Sequence, residues 1–198
     1  MSTPQIVPPL KWHGGKHYLT RHVLALMPPH LHYVEPYFGS GQVLFARDPH
    51  DRRLWWPGLT SDGRKANGVS EVVNDIDGDL MNFYAVLKDE GQFVQLRERL
   101  DKTLFSEAEW GGAEATLATA GGDPVIRAAA YFTLVRQSLA ARKDTHAGIT
   151  RTRLRNGRNG DVNAWWSAVE GLGAAHERLR SVRVLCRDAL DVIRSEDT

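Results

Sequence analysis

Apolar residues recur at helical spacing between Lys16 and Met27, at Tyr18, Leu19, Val23, Leu24 and Leu26, and the run stops at Pro28-Pro29. Proline lacks an N–H and fixes φ, so a helix ends there. His32-Tyr33-Val34-Glu35-Pro36 reads as a short strand that enters the turn Phe38-Gly39-Ser40-Gly41, with a helix through Val43-Leu44-Phe45-Ala46. Asp48 to Ser70 is rich in Pro, Gly, Asp and Arg without a clear period, which predicts a surface insertion pinned by Trp55-Trp56. Glu71-Val72-Val73-Asn74-Asp75 is a second strand candidate ending in polar residues. Leu80 to Leu87, apolar at 80, 83, 84 and 87, predicts an amphipathic helix, and helical character extends over Phe93 to Leu104. Asp123 to Ala141 and Ala164 to Leu179 read as buried helices. Ser181 to Asp188 reads as a strand ending in an acid, followed by a short helix around Ala189 to Arg194.

Strand-turn-helix, strand-helix, a long helical stretch and strand-helix again is the order of an α/β fold with a largely parallel sheet. The middle of the chain, from Leu87 to Arg180, carries little strand signal and is the natural place for an inserted helical module. No internal repeat or low-complexity tract is present. Hydrophobic residues at 42% and charged residues at 25% describe an ordinary globular chain. No apolar run approaches a membrane span, and the N-terminus lacks the charge-then-apolar order of a secretory signal. The single cysteine, Cys186, cannot form an internal disulfide, which together with these features predicts a reducing cytoplasmic setting.

The net charge of +1 changes the picture only through its distribution. From Arg127 to Gly160 there are eight basic residues (Arg127, Arg136, Arg142, Lys143, Arg151, Arg153, Arg155, Arg158) and one acid, Asp144, so the remainder is net acidic. A basic block in a near-neutral chain suits contact with a polyanion; the competing reading is a solvated loop.

Three short motifs carry candidate chemistry. In Glu35-Pro36-Tyr37-Phe38-Gly39-Ser40-Gly41, two glycines between a strand and a helix let the backbone approach a ligand. A full dinucleotide fingerprint needs a third glycine where Leu44 stands, which disfavours a nicotinamide-dependent oxidoreductase. In Asn74-Asp75-Ile76-Asp77, Asp75 at a strand end is placed to accept from two ribose hydroxyls, while Asp77 or Asp79 is the expected cap of the next helix. Leu10-Lys11-Trp12-His13-Gly14-Gly15-Lys16 is not a Walker loop, because Leu10 and His17 occupy positions that must be Gly and Ser or Thr. Its Trp and Lys offer an aromatic wall and a cation.

Taken in chain order, Lys11 to Lys16, then Glu35 to Gly41, then Asn74 to Asp77, these three motifs resemble the Dam-like DNA adenine-N6 methyltransferases. The resemblance spans nearly the whole chain and implies a Rossmann-like, S-adenosylmethionine-dependent methyltransferase sheet with an inserted helical DNA-recognition module. By position it implies cofactor contacts from Trp12, Lys16, Phe38, Gly39 and Gly41, a ribose contact from Asp75, and Asp188 on the adenine amino group. It divides the chain into a cofactor-binding part (1–86), a helical target-recognition insertion (87–180) and a return to the sheet (181–198). In the insertion, Arg142, Lys143, Arg151, Arg153, Arg155 and Arg158 would contact double-stranded DNA, mainly at phosphates.

The family performs its chemistry with Asp-Pro-Pro-Tyr, which does not occur here; the Asp-Pro pairs are Asp48-Pro49 and Asp123-Pro124. That motif holds an extruded adenine, so no catalytic residue is assigned within residues 1–198. The expectation is an incomplete chain, one whose later sheet strands belong to a missing C-terminal fragment or split partner and whose sheet keeps an open edge. The alternative is a non-catalytic DNA-binding module that retains the cofactor fold. No metal is expected: His13, His17, His22, His30 and His32 match no zinc spacing and read as surface or loop residues. Cys186 reads as a buried strand residue, Trp165, Trp166 and Leu172 as helix core, and Asp191, Glu196 and Asp197 as a solvated terminus.

Overall fold

Three parallel strands carry the longest-range backbone pairing of the chain, in the order β1 (His32–Glu35), β2 (Ser70–Asn74), β5 (Val182–Leu185). A computed structural model describes residues 6–12, 14–15, 18–147, 154–155 and 157–197, without the side chains of Arg155 and Arg158. Val34 pairs with Val72, and Val73 with Val184, so the three strand ends at Glu35, Asn74 and Leu185 lie side by side. The expected mixed α/β fold with a parallel sheet is thus present. On the outer edge of β1, pairing among the described residues is limited to an isolated bridge between His30 and Trp55.

Helices α1 (Thr20–Leu26) and α2 (Gln42–Ala46) flank β1 in sequence. After β2 come α3 (Gly78–Lys88), α4 (Glu90–Leu100), α5 (Glu107–Ala118) and α6 (Pro124–Gln137). A two-residue antiparallel pair, β3 (Leu154–Arg155) with β4 (Arg158–Asn159), precedes α7 (Gly160–Glu170) and α8 (Leu172–Leu179). Helix α9 (Ala189–Glu196) follows β5. Their starts obey side-chain capping: Asp77, Asp89, Ser106, Asp123, Asn159 and Asp188 each accept first-turn N–H groups, and Pro124 occupies the first turn of α6, where its missing N–H costs nothing.

Helix α3 is the hub. Leu80, Met81, Phe83, Tyr84, Val86 and Leu87 are all buried, because α6 and α8 cover faces that a lone amphipathic helix would leave wet. One hydrophobic core runs from Leu10 through Phe38, α3, Phe132 and Trp165 to Val182. The helical middle of the chain therefore shares its core with the sheet. A smaller cluster of Ala113, Ala130 and Leu134 joins α5 to α6.

Several sequence expectations need correcting. The helix expected over Asp123 to Ala141 ends at Gln137, because Ser138 is extended (φ -82°, ψ 150°), and Ala140 (φ 51°) and Ala141 (φ 60°) then adopt the left-handed conformation. Buried Gln137 forces the stop: its amide donates to Leu104 O (2.9 Å) and accepts from Ser106 N (3.0 Å), while Ala147 N donates to its backbone carbonyl. The helix expected over Ala164 to Leu179 is two helices meeting at Gly171. Cys186 is exposed, since the ladder ends one residue earlier, at Asn74 with Leu185. Glu196 is not solvated: its carboxylate, 13% exposed, lies 3.2 Å from His32 and within ion-pair range of Arg183 and Arg187. Trp165 and Leu172 are core, and Trp166 packs at the core's margin. No described helix is long and apolar enough to cross a membrane.

Candidate cofactor and nucleic-acid sites

The site forms where the parallel strands end, the usual ligand position in α/β sheets. Asn74, fully buried, fastens all three ends. Its amide donates to Pro36 O (3.1 Å) and Arg187 O (3.0 Å), and its Oδ1 accepts from Arg187 N (2.9 Å). The backbone continues this clamp, with Phe38 N donating to Asn74 O at 2.9 Å.

The turn that follows β1 depends on glycine at two positions. Gly39 (φ 52°) and Gly41 (φ 69°) are left-handed. A Cβ on Gly41 would stand 2.5 Å from the Phe38 ring, and one on Gly39 would stand 3.1 Å from Trp12 Nε1. Gly39 is further held by Tyr84, whose hydroxyl donates to its carbonyl at 3.2 Å. Burial, then the charges of Glu35 and Asp75, raise the Tyr84 phenol well above its ordinary value, so it remains a donor.

Asp75 completes the turn. Its Oδ2 accepts from Gly39 N (2.9 Å) and its Oδ1 from Asp77 N (3.2 Å). A carboxylate has about four acceptor sites, so each oxygen keeps capacity for a ligand hydroxyl. Asp75 opens into a cavity of about 210 Å³ lined also by Trp12, Gly15, Glu35, Phe38 and Gly39. That is less than the roughly 300–1,000 Å³ that encloses a drug-sized ligand, so a ligand of that size would extend beyond it. Ile76, next to Asp75 in the chain, and Cys186, one residue past β5, are exposed. Burial, then the negative charges of Asp77 and Asp75, raise the Cys186 thiol, which keeps it protonated beside them. A larger open groove of about 650 Å³ runs along the outer side of β1 past Trp56 and Ile193; two of its titratable groups, His32 and Glu196, already pair with each other.

Of the residues expected around a cofactor, Trp12, Phe38, Gly39 and Asp75 line one cavity, and Gly41 does not line it but packs tightly against the Phe38 ring. Asp188 stands at the neighbouring strand end but caps α9, its Oδ1 accepting from Leu190 N (2.9 Å) and Asp191 N (3.3 Å). Lys16 lies outside the described residues. Asp77 caps α3 as expected, accepting from Asp79 N and Leu80 N. Glu35, not singled out in the sequence, places a second carboxylate in the cavity wall. The signal was available, since Glu35 is the last residue of a strand that runs into a glycine turn.

The basic block is divided by the fold. Arg127 turns inward: Nε and NH2 donate to Asp79 (3.0 and 2.7 Å), and NH1 to the carbonyls of Thr119 and Gly121. Arg136 donates to Ala164 O, and burial lowers its pKa to about 10. Arg142 is exposed. Lys143 reaches Asp77, Nζ to Oδ2 at 2.9 Å. Arg151 and Arg153 lie outside the described residues, as do the side chains of Arg155 and Arg158, whose backbones form the β3–β4 pair. That hairpin was missed, although Asn156-Gly157 is a strong two-residue turn signal. No group of three or more potential metal ligands occurs among the described residues.

A parallel sheet closed at its strand ends by a glycine turn and an acid is the arrangement in which open α/β sheets take up ligands. Residues 12–119, more than half of the chain, match the D12 class N6 adenine-specific DNA methyltransferases, and the chain belongs to that family. It is also similar to the Type II methyltransferase M1.LlaDCHI of Lactococcus lactis subsp. cremoris, with 34% identity over 80 residues. That match covers 40% of this chain and 22% of the relative, so the chain spans about a fifth of the relative's length. The family match begins within the first motif, at Trp12, includes the other two and stops before the basic stretch.

Proposed function

We propose that this chain binds S-adenosylmethionine at the ends of β1 and β2 and engages duplex DNA, in the service of methyl transfer to adenine N6. The observation that carries the reading is Asp75: a strand-end carboxylate, fixed by the Gly39 N–H and open to a cavity walled by Trp12 and Glu35. The residues fit such a ligand. Asp75 has spare lone pairs for ribose hydroxyls, Glu35 offers an acceptor for the ligand's ammonium, and the Trp12 ring offers a face to its sulfonium. Lys16 is assigned to the ligand carboxylate and Asp188 to the adenine amino group. When bound, S-adenosylmethionine supplies a methyl group activated on sulfur; the protein's part is to hold that ligand in one orientation.

Under the same reading residues 87–180 serve target recognition. Arg142 and the stretch from Arg151 to Arg158 contact phosphates, which position the duplex without reading its sequence. The reading assigns none of residues 1–198 to the extruded base. A competition experiment tests it: radiolabelled S-adenosylmethionine retained by the purified chain should be displaced by S-adenosylhomocysteine and not by NAD. Displacement by NAD as effective as by S-adenosylhomocysteine would overturn the cofactor assignment.

A further inference from the structure

The loop between Ser138 and His146 carries features that cofactor binding alone leaves unused. Ala140 and Ala141 are successive left-handed residues, a conformation that alanine holds only when its surroundings impose it. The loop is closed on itself: Leu139 N donates to Thr145 O at 2.9 Å, Arg142 N to Leu139 O at 3.0 Å, and Ser138 bridges His146. From its tip Lys143 reaches a residue 66 positions away in sequence, Nζ donating to Asp77 Oδ2 at 2.9 Å. The same oxygen accepts from the Tyr131 hydroxyl at 3.0 Å, and the Lys143 ammonium lies 4.3 Å from the centre of that ring. Asp77 N in turn donates to Asp75 Oδ1, and Asp75 Oδ2 accepts from Gly39 N. An unbroken chain of polar contacts therefore joins the constrained loop to the glycine turn.

We infer that Lys143 is a positioning residue that seats the Ser138–His146 loop on the first turn of α3, so that filling the Asp75 pocket and engaging a duplex through Arg142 are energetically coupled. The inference rests on the cofactor and DNA reading above. Its physical basis is that Asp75 and Asp77 share one short backbone segment. A ligand that takes up the remaining lone pairs of Asp75 fixes that segment, and with it the carboxylate on which Lys143 rests. A duplex that orders the loop does the reverse, and linkage requires the two effects to be equal. The side chains of Lys143 and Asp77 are 40% and 31% exposed, so the pair adds little to global stability; its location gives it a role. Lys143 is thereby distinguished from the phosphate contacts, because its ammonium is already held.

The test titrates the full chain with S-adenosylmethionine, with and without a saturating mixed-sequence duplex, and measures duplex binding across salt concentrations. The variants are Lys143→Met, Lys143→Arg, Arg142→Ala and Asp77→Asn, the last keeping a cap oxygen for α3. The wild-type chain should bind S-adenosylmethionine about fivefold more tightly when duplex is present. Lys143→Met and Asp77→Asn should bring that ratio close to one, and Lys143→Arg should restore most of it. The salt dependence of duplex binding should be unchanged in Lys143→Met and reduced by about one counterion in Arg142→Ala. A wild-type ratio of one, a ratio unaltered by Lys143→Met, or a salt slope lowered by Lys143→Met would overturn the inference while leaving both binding activities standing. A folded wild-type chain that bound neither ligand would overturn the reading of the site, and the inference with it.

Discussion

The two ends of β2 each carry a carboxylate, and the fold treats them in opposite ways. Glu71, at the start of the strand, is 5% exposed and sits between two buried guanidinium groups. Arg47 donates to it from one side, and Arg178 from the other through NH1 to Oε2 at 2.6 Å. Burial lowers the Arg47 pKa, and the adjacent Arg178 charge lowers it further against the pull of Glu71. Asp75, just past the other end, is half-buried and accepts from the backbone N–H groups of Gly39 and Asp77, with a cavity in front of it. A carboxylate enclosed by cations has no acceptor capacity left to offer, and it serves the fold. One held by backbone N–H donors beside a cavity keeps lone pairs to spare, and it can serve a ligand.

Substitutions at the two ends should separate these roles. Glu71→Gln leaves two buried arginines without their counter-charge and should cost about 3–5 kcal/mol, read from urea unfolding; Asp75→Asn should cost under about 1 kcal/mol. Equal costs would erase the distinction. Gly41→Ala combines a left-handed φ with a Cβ driven into the Phe38 ring, and should lose about 1–3 kcal/mol of stability together with S-adenosylmethionine binding. Gly78, at the start of α3 with open space around it, is the matched control: Gly78→Ala should be neutral or stabilise by up to about 1 kcal/mol.

The smallest effect concerns acid. Burial pushes the Asp77 carboxyl up, but Lys143, the Leu80 N–H and Tyr131 together hold it below its ordinary value. A carboxyl depressed in the folded state stabilises the protein above the unfolded value of about 3.9, and that contribution is lost as pH falls through the folded value. Asp77→Asn should therefore be less stable than wild type at pH 7, by under about 1 kcal/mol, with the gap narrowing at pH 3. Urea midpoints at the two pH values check this; a gap that widened in acid would contradict it.

The elements that hold the cofactor site were legible because local chemistry decides them. Prolines end α1, glycines make the turn after β1, and Asp77 caps α3. What escaped was decided by distant partners. The residues clamped by Asn74 lie up to 113 positions away, and Glu71 meets Arg178 across 107, so neither is visible in any window. Ala140 and Ala141 read as helix because alanine favours it, and only hydrogen bonds closing the loop reverse that preference. Helix α5 was missed despite a local signal: Ser106 followed by Glu109 is a capping pattern, and the apolar period behind it is weak. The basic block was legible as charge and not as surface, since Arg127 and Arg136 are turned inward by Asp79 and Ala164.

The central claim, that the open end of the sheet is a cofactor pocket organised by Asp75, is tested most directly by calorimetric titration of S-adenosylmethionine into the purified chain and into Asp75→Ala. The account predicts binding by the wild type and none by a variant that melts at a similar temperature. A folded wild-type chain that releases no heat of binding, or a variant that binds as tightly as wild type, would contradict it.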